Sequence, residues 1–196
     1  MKLPKIVGIA GTNGAGKDEL GRLLAERRGY HFHSVTDLLR AELSRQGKEI
    51  NRENLAALSK QWRNETGDDG VMFTKAIQAY MAEKDEKGYG GVALASIRHP
   101  GEVTAVQNFG GVVVWVDADQ QTRYDRVTGN SRGRMEDHVT FEQFKADEDR
   151  EMYPPADAPA GTLNMAAVRD VADIKITNDF SSVDEYRDYL IKEFDL

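Results

Sequence analysis

Short apolar runs and amphipathic stretches alternate along almost the whole chain. Residues 5–10 (KIVGIA) form a continuous apolar run, only a few residues long and rich in β-branched side chains, as in a strand buried on both faces. Gly11 ends it, and residues 19–28 follow with Leu20, Leu23 and Leu24 at helical spacing. The chain therefore opens as strand, glycine-rich loop, helix. Residues 30–33 are a second short strand, and residues 35–46 an amphipathic helix with Leu38, Leu39 and Leu43 on one face and Ser34 or Thr36 to cap it. From 52 to 84 the pattern stays helical, broken near Gly67 and Gly70, with Leu55, Leu58, Trp62, Met72, Ile77 and Tyr80 as its apolar set.

Residues 92–97 (VALASI) and 112–116 (VVVWV) are two more buried strands, joined by a short helix over 102–108. A helix over 120–128 leads into a polar, basic loop at 129–134 (GNSRGR), and a highly charged helix spans 141–151. Residues 153–163 hold three of the five prolines and read as irregular loop. A fifth strand at 173–177 and an amphipathic helix over 183–194 close the pattern. Strands separated by helices require right-handed crossovers. The expected fold is thus α/β, a roughly five-stranded parallel sheet with helices on both faces and ligands at the carboxyl ends of its strands.

The chain has 196 residues, the size of one domain with room for a small insert. Lys and Arg total 26 against 33 Asp and Glu, a net charge of −7; this argues against binding nucleic acid or anionic membrane through a general basic surface. Zero cysteines exclude a disulfide framework and every thiolate-held metal site. No apolar run approaches the ~20 residues of a membrane span. The expectation is a soluble cytoplasmic protein, monomeric or homodimeric.

Gly11-Thr-Asn-Gly-Ala-Gly16-Lys17-Asp18 fits G-x-x-x-x-G-K, with Asp18 where Ser or Thr usually follows. It follows the first buried strand directly and opens a helix, the context its mechanism requires. The backbone at Gly11, Asn13, Gly14, Ala15 and Gly16 would turn its N–H groups around a phosphate, the helix N-terminus would add its positive end, and Lys17 would reach the β and γ phosphates. Asp18 is either a Mg²⁺ ligand, directly or through water, or an N-terminal helix charge favoured by the dipole.

With these residues in place the sequence resembles the P-loop nucleoside monophosphate kinase superfamily, and within it nucleotide-kinase-like proteins labelled dephospho-CoA kinase-like. The resemblance runs through the phosphate loop, Ser34-Val-Thr-Asp37-Leu-Leu-Arg40, Ser96-Ile-Arg98-His-Pro-Gly-Glu102, the 125–134 region and Ile176-Thr-Asn178-Asp. It implies a three-layer P-loop NTPase fold in one domain, with an acceptor-binding helical region over about 34–88 and a lid over about 129–139. It also implies ATP and Mg²⁺ as cofactors and a small nucleotide-like acceptor. Asp37, Arg40 and Arg98 would face the acceptor, since arginines at the crevice suit bidentate capture of a phosphate monoester. Arg123, Arg126, Arg132 and Arg134 concentrate positive charge in what resembles a short lid, with Arg126 and Arg132 or Arg134 supplying charge to the transferred group. Asn178 would contact adenine, or be a strand-ending turn residue.

One departure stands out. The family strand before Arg98 commonly carries an acidic residue that orients Mg²⁺ through water, and residues 92–97 carry none; Asp18 is the residue left to compensate. The expected activity is ATP-dependent phosphotransfer to a nucleoside monophosphate. The alternatives are a dephospho-CoA kinase, with Asp37 as general base for a 3′-hydroxyl, and a nucleotide-binding switch without efficient transfer.

Overall fold

β1 (Ile6–Gly11) is buried at every position because it runs through the middle of the sheet. The computed structural model describes residues 1–129, 139–158 and 161–196. Its other strands are β2 (Tyr30–Ser34), β3 (Gly91–Ile97), β4 (Val112–Asp117) and β5 (Ile174–Thr177). All pairings are parallel, in the order β2-β3-β1-β4-β5. The expected sheet is therefore present, with β3 and β4 flanking β1.

Successive strand side chains point to opposite faces, and β1 shows the consequence. Val7 and Ile9 join a cluster with Leu20, Leu23 and Leu24 of α1 (Lys17–Arg28) and Leu190 and Phe194 of α9 (Val183–Phe194). Ile6 and Ala10 face the other layer. That layer comprises α2 (Val35–Arg45), α3 (Arg52–Thr66), α4 (Val71–Lys87), α5 (Pro100–Asn108) and α8 (Met165–Val171). Trp115 lies fully buried within it and Trp62 packs at its margin, so both tryptophans are core residues, as their apolar settings imply. Each such burial removes apolar surface worth roughly 1.5–3 kcal/mol per large side chain.

Two further helices, α6 (Gln120–Gly129) and α7 (Phe141–Met152), lie at the carboxyl end of the sheet beside the phosphate loop. The long helical stretch breaks where expected: α3 ends at Thr66 with Gly67 as its cap, and α4 begins at Val71. Helix α8 was not anticipated. Asn164 caps it by accepting the Ala167 N–H at 3.0 Å, directly after the proline-rich loop. No helix among the described residues is long and apolar enough to cross a membrane.

The sheet carries one irregularity. Ile9 pairs with Ala95 but Ala10 pairs with Ile97, so Ser96 is an extra residue in β3, and its φ is +77°. A β-bulge with a left-handed non-glycine residue at the end of a central strand is a strained feature of the kind concentrated at functional sites.

Candidate active site

The loop between β1 and α1 is shaped by glycines that no other residue replaces. A Cβ on Gly11 would sit 2.0 Å from the Val116 carbonyl oxygen, because β1 and β4 close up at this level. Gly16 has φ +85° and a Cβ there would lie 2.7 Å from Asn178 Nδ2. The chain thus turns tightly into the N-terminus of α1. Gly16 caps α1 without any side-chain hydrogen bond, which leaves the positive end of the helix dipole facing the loop. Asn13 and Gly16 are exposed there, Ala15 is buried beneath, and Lys17 and Asp18 are half-buried in the first turn. These residues fit a nucleotide phosphate by shape and by charge.

The loop is braced from three sides by residues whose roles were not legible in the sequence. Asp117 ends β4 and accepts from Thr12 Oγ1 at 2.7 Å and from the Ala118 N–H at 2.9 Å. Arg123 of α6, only 4% exposed, donates to the Ala118 carbonyl at 2.9 Å and the Asn13 carbonyl at 3.4 Å. Its guanidinium forms a two-pronged pair with Glu148 of α7, one arm at 2.9 Å. Asn178, buried just past β5, donates from Nδ2 to the Ala15 carbonyl at 2.9 Å. Its side chain is therefore engaged with the loop itself, and Arg126 donates to the Asn178 and Phe180 carbonyls at 3.1 and 3.0 Å. Arg132 and Arg134, with most of the expected lid, lie outside the described residues.

The acceptor-side residues are placed at the ends of the neighbouring strands. β3 pairs with β1, so Arg98 emerges about one strand spacing, ~4.8 Å, from the phosphate-loop strand. Arg98 is half-exposed and pairs with Glu151 at 3.2 Å. Asp37 and Arg40 are both half-exposed and pair with each other at 2.8 Å along α2. At the ends of β2 and β3 the Ser34 and Ser96 hydroxyls lie 3.2 Å apart, and Ser34 also accepts the Thr36 N–H to cap α2.

Beneath Arg98 lies Glu102, 3% exposed. One carboxylate oxygen accepts the backbone N–H groups of Arg98 at 2.7 Å and His99 at 3.1 Å. Burial pushes its pKa up to about 7, against the opposing pull of those two N–H groups and of Arg63 and Arg98. His99 completes a capping box at α5 by accepting the Gly101 N–H at 3.1 Å, and burial lowers its pKa. Burial likewise lowers that of His33, which lies behind Asp37. The sequence signal for Glu102 was present as the N3 acid of a capping box, with His99 in place of the usual Ser or Thr.

Among the described residues no group of three or more His, Cys, Asp or Glu is placed to hold a metal ion. A magnesium ion, which keeps most of its waters and binds through one or two carboxylates plus substrate phosphates, would find Asp18 in the first turn of α1 and Asp117, bonded to Thr12, as the carboxylates at the loop.

A central parallel sheet in the order β2-β3-β1-β4-β5 and a glycine-rich helix N-terminus after its first strand define a three-layer P-loop NTPase fold. Solved structures agree at the level of fold. A Thermus thermophilus protein, TT1252, superposes with a TM-score of 0.58 at 19% identity, covering 100% of this chain and 99% of its own. The shikimate kinase from Acinetobacter baumannii in complex with shikimate gives 0.55 at 17% identity, covering 95% and 90%. In sequence, a UPF0200 protein of Pyrobaculum aerophilum is 31% identical over 182 residues, 92% of this chain and 91% of its own length. The chain belongs to the UPF0200 family. No model of a protein family matches it.

Proposed function

We propose that this protein is an ATP-dependent phosphotransferase acting on a small nucleotide-like acceptor, with a nucleoside monophosphate as the leading candidate. The observation that carries this reading is the juxtaposition of two anion-binding features on paired strands: the glycine cradle with Lys17 after β1, and Arg98 after β3. Donor and acceptor phosphates would meet between them.

ATP would supply the phosphoryl group, and Mg²⁺ would offset the charge on its phosphates. The backbone of residues 11–16 and Lys17 would hold the β and γ phosphates, with Asp18 as the carboxylate toward the metal. Arg98 and Arg40 would fix the acceptor. Arg126, with Arg132 and Arg134 of the lid, would stabilise charge spread over the transferred group. Residues 34–88 would form the acceptor-binding region. Catalysis of this kind rests on positioning and electrostatics, so no covalent protein intermediate is required.

Asp37 separates the two acceptor classes. The oxygen of a monophosphate is already ionised and needs no base, whereas a ribose 3′-hydroxyl does. The ion pair of Asp37 with Arg40 at 2.8 Å supports a role in orienting that arginine, which favours the monophosphate. The test is ADP release from Mg·ATP with each nucleoside and deoxynucleoside monophosphate and with dephospho-CoA. Stimulation by a monophosphate, with a mild effect of Asp37→Asn, is expected. Stimulation by dephospho-CoA with a loss on the order of 10²-fold in Asp37→Asn would overturn the monophosphate assignment. ATP binding with no stimulation by any acceptor would favour a nucleotide-binding switch.

A further inference from the structure

A further guanidinium lies beside Glu102, beneath the Arg98 corner. Arg63 of α3 is only 20% exposed, and its Nε is buried without a hydrogen-bond partner. Among the described residues its one ion-pair neighbour is Glu102, whose Oε1 lies 3.9 Å from Nη2, beyond hydrogen-bond range. The other oxygen of that carboxylate holds the backbone N–H groups of Arg98 and His99. A mostly buried cation with its Nε unpaired is costly.

Arg63 is tied to the Arg98 corner through several links. Glu102 has Arg63 on one oxygen and the Arg98 backbone on the other. A Cβ on Gly161 would be in ordinary contact with the Arg63 side chain, at 3.5 Å from Cδ and 3.6 Å from Nη1, and with Asp69 Oδ1 at 3.6 Å; Asp69 faces His99 at 3.9 Å. Three residues further on, the Asn164 N–H donates to the Arg98 carbonyl at 3.0 Å. The end of the proline-rich loop therefore runs from one arginine to the other and walls the corner. Arg98 has a carboxylate partner, Glu151, but that pair is half-exposed on both sides and is readily displaced.

We propose that Arg63 is a further cation of the acceptor's anion seat, beside Arg98 and Arg40, and that Arg63 and Arg98 together receive a phosphate monoester dianion. This rests on the assignment of the crevice to the acceptor. Two guanidiniums, one with its Nε unpaired and one holding a displaceable partner, call for a doubly charged ligand with several acceptor oxygens, which a phosphate provides and a single carboxylate does not.

The experiment follows the arginine Nε–Hε signals by nuclear magnetic resonance in Lys17→Ala protein, so that the phosphate loop does not dominate, during titration with inorganic phosphate. The signals of Arg63 and Arg98 are expected to move along one saturation curve. Arg63→Lys keeps the charge and the buried stem but loses the fork, and is expected to weaken phosphate binding at Arg98 by at least about tenfold. Acetate is expected not to saturate the site. An Arg63 signal that stays still while that of Arg98 moves, unchanged affinity in Arg63→Lys, or acetate binding as tightly as phosphate would each overturn the proposal. If Arg63→Lys loses its fold, Arg63→Gln takes its place with the same expectation. If neither variant folds, the Arg63 Nε–Hε signal in Lys17→Ala protein decides by itself, since it must move with that of Arg98 along one phosphate saturation curve. No transfer is measured, so a protein that proves not to be a kinase still gives a readable answer. Conversely, acceptor-dependent transfer with a silent Arg63 would leave the kinase reading standing and remove only this one.

Discussion

Glu148 of α7 grips the buried guanidinium of Arg123, and that guanidinium reaches the Asn13 carbonyl in the phosphate loop. A helix more than a hundred residues downstream thereby sets the shape of the loop that follows the first strand. Removing Glu148 leaves Asp117, 3.4 Å from Nε, as the remaining carboxylate beside Arg123, so the loss stays below that of a wholly uncompensated buried charge, at about 1–3 kcal/mol. Glu148→Ala is therefore expected to lower stability by that amount in urea unfolding and to weaken ATP binding. The double variant Arg123→Met/Glu148→Leu is expected to recover most of the stability but not the ATP affinity, because the apolar pair cannot hold Asn13.

Ser96 adopts a left-handed conformation at φ +77°, which costs an L-residue about 1–2 kcal/mol. Glycine carries no such penalty but gives up the Ser34 contact at 3.2 Å. Ser96→Gly is expected to raise stability by roughly 1 kcal/mol, read as a higher urea midpoint. A lower midpoint would mean that the paired hydroxyls contribute more than the backbone strain.

Glu102 gives the fold a pH dependence with a definite sign. Its pKa rises from 4.5 to about 7 because of burial, so the folded state holds the proton more tightly than the unfolded chain. The stabilisation from protonation is fully present below the unfolded value and is lost as pH rises through about 7. Glu102→Gln keeps an oxygen for the Arg98 and His99 N–H groups and removes the titration. The stability of the variant relative to the parent should therefore increase between about pH 5 and about pH 8. Parallel pH profiles in calorimetry would show that Glu102 ionises as it does in the unfolded chain.

Glu151 competes with any anion for Arg98, at 3.2 Å in a half-exposed pair. Such pairs are worth about 0–1 kcal/mol. Glu151→Gln is accordingly expected to lower the acceptor KM up to about fivefold with kcat little changed, whereas Arg98→Gln should raise KM and depress kcat together.

The sheet was legible because β1, β3 and β4 are short apolar runs set off by glycine or polar punctuation, and because parallel strands force intervening helices. The phosphate loop was legible because its glycines are a local requirement. The braces were not. Arg123 and Glu148 lie 25 positions apart on separate helices, and Asn178 meets Ala15 across 163 positions, so no local spacing records either contact. The place of Asn178 after the last strand suggests an adenine contact or a strand-ending turn residue, and that place also lets its Nδ2 reach the loop. Arg63 carried no signal, since an arginine on an amphipathic helix ordinarily faces water; only the packing of Gly161 and Glu102 around it shows otherwise. Helix α8 was hidden by its length of seven residues and by the proline loop before it.

The central claim is phosphoryl transfer between the Lys17 loop and the Arg98 corner, and the most direct test follows the phosphoryl group itself. Purified protein is incubated with Mg·ATP labelled at the γ-phosphate and each nucleoside monophosphate, and the products are separated. Label in an acceptor-derived product, abolished by Lys17→Ala and strongly reduced by Arg98→Gln, is the expected result. Label appearing only as inorganic phosphate, or transfer that persists in Lys17→Ala, would contradict the account.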